Sequence, residues 1–447
     1  MATWDFLYWD DVLLQLNKAI ENQASNLTKL CGEEPLLVIL RDWQGRITLC
    51  LPCTRDAIHK SGLDKWGLSL GTSLGLLASA SDVVYCQDEF FDPEDVWNSP
   101  NLVFLASDSE LRIALLDRQD KEGDWLRQAP NAHINKLKPR AVFFGVKGGV
   151  GRSSALTALA ISLANMGKKV LVVDIDFESP GVSSSLLGDD RPDFGLVDWM
   201  TAHALNCPKA QLLEMAGTKL TEVSPLSQLT KGRILVAPCH AKLTQAYVAK
   251  LGRIYRTTSD GFTFAQRLDE VVTALEDAHD VDVTLIDSRA GIDDAAAAAI
   301  TQLHASVTFM FAINTTQTWD AYQLLFKHLQ NHPSLHTEQD FRSSLRIISA
   351  LTPDEVGAYK GYWEDFRQKA YDTCLTLYDV DDGSGDGAVF SPSPDDEDGP
   401  HYAAKVMWHE VLRAFDPLEE RGQIAPALVE NVFGNFIARA NALLGAS

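Results

Sequence analysis

The stretch Gly145-Val-Lys-Gly-Gly-Val-Gly-Arg-Ser-Ser154 follows an apolar run that begins at Ala141 and opens a segment of helical periodicity. Ala155, Leu156, Leu159 and Leu163 share one face of that segment, and Gly167 sits where a helix-ending glycine belongs. Glycines between a strand and a helix let backbone N–H groups turn inward and cradle phosphate oxygens at the positive end of the helix dipole. Ser153 takes the position whose hydroxyl ligates Mg²⁺ in such loops. Arg152 stands where lysine is usual; it keeps the charge and can fork two oxygens, but it is bulkier.

Outward from the loop, strands are expected at residues 141–146, 169–174, 233–237, 281–286, 306–313 and 345–350, with helical stretches between. That alternation predicts an α/β fold with a doubly wound, mostly parallel sheet. Two strands end in carboxylates. One reads Val-Leu-Val-Val-Asp174-Ile-Asp176-Phe-Glu-Ser-Pro180-Gly181, the other Thr-Leu-Ile-Asp287-Ser-Arg-Ala-Gly291. An acid at the C-terminal end of a parallel strand faces the ligand crevice of such a sheet.

Lys147, ahead of the glycine pair, makes the loop resemble the deviant Walker A motif of the ParA/MinD ATPases. The three motifs together resemble the "KGGVGR-motif variant" branch, ParA-like domains often fused to other modules in bacterial signalling and conflict proteins. The resemblance covers roughly residues 140–350. It implies ATP and Mg²⁺ as ligands. Lys147, Gly148, Gly149, Val150, Gly151, Arg152, Ser153 and Ser154 would hold the phosphates, and Lys147 would reach a partner's nucleotide in an ATP-sandwich homodimer. Ser153 and Asp287 would hold the metal with Asp174 supporting its shell, Asp176 would orient the attacking water, and the Gly291 N–H would sense the γ-phosphate. For Arg289 two readings stand: a transition-state arginine, or a salt bridge with Asp293 or Asp294.

The chain has 447 residues, room for two or three domains. An N-terminal α+β domain is expected over 1–130, with a hairpin at 36–51. A polar linker follows at 131–140, then the ATPase core at 141–352 and a C-terminal helical part at 353–447. Within the last part, residues 379–398 carry eight acids and no base, the composition of a disordered loop. The final helix, 428–444, has an apolar stripe but a single base, so packing on the sheet is preferred to membrane binding. A formal charge of −22 argues against nucleic acid and anionic lipid as partners. The first lysine is Lys18, so no signal peptide is expected and a cytoplasmic location follows. Cys50 and Cys53 read as buried apolar cysteines, and His328, His332 and His336 as a surface helix end.

The leading functional reading is an ATP-dependent, slowly hydrolysing switch. It would dimerise on ATP and relay nucleotide state to a protein partner through the N-terminal domain or the C-terminal helices. A scaffold that binds nucleotide without hydrolysing it is the alternative. A bacterial-type tyrosine kinase fits less well, since the C-terminal Ala-Arg-Ala-Asn-Ala-Leu-Leu-Gly-Ala-Ser447 holds no tyrosine.

Overall fold

A computed structural model describes residues 9–32, 35–99, 101–105, 111–118, 123–127, 129, 138–258, 260–337, 340–379 and 389–445. Most of the expected linker, 131–137, lies outside them. The chain divides into two compact units, Met1–Gly123 and Asp124–Ser447.

The first unit holds β1 (Leu36–Arg41), β2 (Ile47–Leu51), β3 (Val84–Cys86), β4 (Leu102–Leu105) and β5 (Arg112–Asp117), in the order β3-β2-β1-β5-β4. The expected hairpin forms from β1 and β2. Its turn closes because Asp42 Oδ1 accepts from the Gln44 and Arg46 backbone N–H groups, both at 2.9 Å, and Gly45 takes φ +84°. Strand alternation then sorts the sheet's apolar residues. Leu37, Ile39, Leu49 and Leu51 pack with helix residues Leu16, Ile20 and Ile58, while Val38, Leu40, Cys50 and Leu116 form a second cluster on the other face. Cys50 and Cys53 are both buried. Among the described residues no group of three His, Cys, Asp or Glu could hold a metal.

The second unit is built on β6 (Arg140–Gly145), β7 (Lys169–Asp174), β8 (Glu222–Val223), β9 (Arg233–Ala237), β10 (Val283–Ala290), β11 (Val307–Ala312), β12 (Leu345–Thr352) and β13 (Ala404–Met407). Their order is β13-β12-β11-β6-β10-β7-β9-β8, parallel except for the β8–β9 edge pair. Every residue of β6 is buried, as a central parallel strand requires. Val142 and Phe144 point into one core and Ala141 and Phe143 into another, with helices over both faces: a doubly wound sheet. From β6 the chain moves to β7 and β9 on one side, returns to β10, and then crosses to β11 and β12 on the other. The loop after β6 therefore sits where the winding direction reverses, the place such folds bind ligands.

The C-terminal residues do not form a separate helical part. β13, a strand of four residues, joins the same sheet beside β12. The last helix, Pro426–Leu443, buries Phe436 against Phe143, Phe309 and Phe311 at ring distances of 5.0–6.0 Å, the sheet packing expected of it. The acidic stretch is only partly as expected. Residues 380–388 lie outside the described residues, but its flanks are folded around Arg342, which is 1% exposed. Arg342 pairs with Asp379 and Asp340 at 2.7 Å each and lies over the Phe390 ring, and Phe390 N–H donates to Asp379. One of the acids that composition assigned to solvent, Asp379, is met by an arginine 37 residues away in sequence, while Asp395, Asp396, Glu397 and Asp398 are exposed.

His332 corrects another expectation. His328 and His336 are exposed, but His332 is 3% exposed. Its Nδ1 accepts from the Ser334 backbone N–H at 3.1 Å, so the ring is neutral and Nε2–H donates to the Arg127 carbonyl at 3.0 Å. Burial pushes its pKa down to about 4. An unfolded histidine titrates near pH 6.5, so protonation favours the unfolded chain. The stabilisation is complete above about pH 6.5 and fades as pH falls toward 4, by about 1.4 kcal/mol per pH unit. Urea titrations at pH 7 and pH 4.5 are expected to show the gap between the wild type and His332→Gln narrowing in acid. A constant gap would exclude a neutral buried ring.

Candidate functional site

β6 ends at Gly145 and the next helix, Arg152–Asn165, begins seven residues later. Gly149 (φ +73°) and Gly151 (φ +79°) occupy the left-handed region, where a side chain would strain the backbone. Gly145 is needed for space: a Cβ there would lie 3.3 Å from the Phe311 carbonyl. Val146 and Val150 are buried in opposite cores and pin the loop at two points. Among the described residues, the N–H groups of 148–154 have no backbone acceptor, and no side chain caps the helix. A set of free donors thus gathers at the positive pole of a fourteen-residue helix.

The carboxylates arrive on the neighbouring strands. β10 lies between β6 and β7, and Asp287 of β10 is the register partner of Asp174 of β7. Asp174 is fully buried and accepts from the Ser183 N–H (3.2 Å) and hydroxyl (2.7 Å). Burial, reinforced by Asp287, raises its carboxyl pKa above the usual range. Beneath it, the Cys239 thiol donates to the Asp174 carbonyl at 2.9 Å, and burial pushes that thiol well up. Asp287 has both oxygens engaged by the loop: Arg152 Nε donates to one and Ser153 Oγ to the other, each at 2.7 Å. A second Arg152 nitrogen reaches Asp176 at 3.2 Å, and Asp176 also accepts from the Ser179 N–H at 3.2 Å. Burial raises the Asp176 pKa and the arginine pulls it back.

The structure therefore brings Arg152, Ser153, Asp174, Asp176 and Asp287 together. Lys147 stands apart, partly exposed, with no hydrogen bond or ion pair to another described residue. Gly291 (φ +98°) gives its N–H to the Gly145 carbonyl at 3.0 Å, so in this structure that donor is already committed to the root of the loop. Arg289 does contact Asp293, at 3.5 Å, but its shorter pair is with Glu178 at 3.0 Å, and Tyr255 OH also donates to Glu178 at 2.8 Å. Asp293 in turn caps the helix Asp294–Thr301, accepting from the Ala296 N–H at 2.9 Å.

Glu178, Ser183, Cys239 and Tyr255 are the residues that sequence reasoning did not single out. Glu178 lies inside the quoted acidic motif and carried a signal; the others have none within their own segments. The Ser153 and Asp287 oxygens, facing a cluster of free N–H groups, have the hard-ligand chemistry of a divalent cation carried with a phosphate ester, while Asp174, Asp176 and Asp287 as placed form no metal site of their own.

Residues 141–300 match the AAA domain family model. A ParA family ATPase from Chlorobium tepidum superposes with a TM-score of 0.43 at 15% identity, over 68% of this chain and 99% of that one. The Pyrococcus horikoshii septum site-determining protein MinD, complexed with Mg-ADP, gives 0.42 at 16% identity, over 69% and 98%. MinD in the MinC:MinD complex of Aquifex aeolicus gives 0.40 at 16%, over 69% and 97%. No curated protein matches the chain. The matched span contains the central strands of the doubly wound sheet and the glycine loop at its reversal point. No described helix is long and apolar enough to cross a membrane.

Proposed function

We propose that the chain is an ATP-driven switch that binds Mg·ATP at the 145–154 loop, pairs with a second copy, and hydrolyses ATP slowly to release it. The observation that carries this reading is the free N–H cluster of 148–154 set against Asp287 and Asp176. Residues 148–154 would hold the phosphates through the backbone, with Arg152 adding charge. Ser153 and Asp287 would hold the metal, with Asp174 behind them, and Asp176 would orient the water. Bound Mg²⁺ would neutralise phosphate charge. Arg289 would help shape the loop after β10, and Gly291 would exchange the Gly145 carbonyl for the γ-phosphate.

Lys147 fits a role across a dimer because it has no partner among the described residues of its own chain. Lys147→Ala is expected to leave the thermal midpoint unchanged, to abolish the ATP-dependent doubling of mass in solution, and to slow phosphate release. Unchanged mass and turnover would defeat the trans-lysine role. The partner-reading surface belongs, in this reading, to the 1–123 unit, since the final helix is occupied against the sheet. A charge of −22 disfavours a nucleic acid partner.

One observation favours the non-hydrolysing alternative: Arg152 already neutralises Asp176, the carboxylate assigned to the water. Phosphate release from Mg·ATP separates the two readings.

A further inference from the structure

We propose that Arg152 is a built-in counter-cation for the carboxylate cluster, so that its guanidinium and a divalent cation compete for Asp287. The inference rests on the reading of this loop as a nucleotide site. It goes beyond that reading by making cation entry an exchange and not a simple binding step.

Asp287 is 1% exposed and has no spare oxygen: Arg152 Nε holds Oδ1 and Ser153 Oγ holds Oδ2, both at 2.7 Å. The same guanidinium spans to Asp176 at 3.2 Å, while Asp174 stands in register beside Asp287. One buried arginine thus serves the innermost charges of the site. Withdrawing it with nothing in its place would strand a buried carboxylate, which is strongly unfavourable. A cation arriving without phosphate would displace the guanidinium into a site with no new anion for it.

Nucleotide resolves both problems at once. Its phosphates give the guanidinium a forked partner while the cation takes the Asp287 oxygen that the arginine gives up. Lysine at this position would be a point charge on a flexible stem, unable to bridge two carboxylates with the same fork. The arginine in Lys-Gly-Gly-Val-Gly-Arg would therefore couple cation and nucleotide more tightly than lysine, and keep the nucleotide-free protein blind to divalent cations.

The test measures Mn²⁺ binding to the full-length, nucleotide-free chain by electron paramagnetic resonance. Arg152→Gln is expected to bind Mn²⁺ at least ~10-fold more tightly than the wild type, within the usual range of coupling between sites. The gain should vanish in Arg152→Gln/Asp287→Asn, which places the ion at Asp287. Equal Mn²⁺ affinity in the wild type and Arg152→Gln overturns the proposal, as does a gain that survives loss of Asp287. If Arg152→Gln fails to fold, Arg152→Lys keeps a positive charge and is expected to bind Mn²⁺ more tightly than the wild type; equality there overturns the proposal as well. This readout needs neither ATP binding nor dimerisation. Failure of the switch reading would appear in phosphate release and mass, and failure of the counter-cation in Mn²⁺ affinity alone.

Discussion

Asp176→Asn is expected to lower phosphate release from Mg·ATP by at least ~100-fold, the lower end of what a positioned proton acceptor contributes. The substitution keeps the shape of the side chain and its oxygen for the Ser179 N–H, now 3.2 Å away. It removes the negative charge that can take a proton from water, together with the second oxygen that accepts from Arg152 at 3.2 Å. The fold should tolerate the change, because burial already raises the Asp176 pKa and so works against the ionised form. The check is a phosphate-release assay on both proteins beside a thermal melt. Release that persists in the variant removes Asp176 from the chemistry. Should neither protein release phosphate while ATP still raises the melting temperature, the non-hydrolysing scaffold becomes the better account.

The parts of this site that were legible in the sequence are those written in consecutive residues. A glycine loop, an acidic strand end and its following segment are local signals, because strand–turn–helix geometry fixes where each residue points. What was not legible depends on pairing between distant segments. Arg152 and Asp287 lie 135 residues apart, so the sequence places a charge and an acid at one crevice without saying that they neutralise each other. Arg289 is the instructive case. Asp293 and Asp294, close in sequence, were the natural candidates, and the shorter contact goes instead to Glu178 on the loop after β7. The same limit hid β13: four residues carry too little periodicity to be read as a strand, and their position is set by the free edge of β12. Gly291 shows a further limit, since a motif assigns its N–H to a ligand while the backbone finds the Gly145 carbonyl for it.

Arg140 makes the same point in energetic terms at the other end of β6. Sequence reading left it at the end of the linker, yet it is 0% exposed and opens the strand that carries the loop. Its guanidinium pairs with both Glu276 oxygens at 2.8 Å and with Asp269 at 2.6 Å, and it donates to the Leu303 carbonyl and the Thr273 hydroxyl. Glu276 is 2% exposed, so without the arginine its charge would be left with the Thr284 hydroxyl alone. Arg140→Met is therefore expected to cost ~3–5 kcal/mol of unfolding free energy, the range for removing one partner of a buried ion pair. The double substitution Arg140→Met/Glu276→Leu should recover most of that loss, because a buried pair replaced by apolar side chains of similar size is often neutral. Guanidinium chloride titrations of the two singles and the double decide the matter. A double variant as unstable as Arg140→Met would mean that the arginine matters through its bonds to Leu303 and Thr273, and not through compensation of Glu276. If compensation is the cause, each end of the strand has one buried arginine serving two acids: Asp269 and Glu276 of a single helix at the N-terminal end, and Asp176 and Asp287 of two different segments at the C-terminal end.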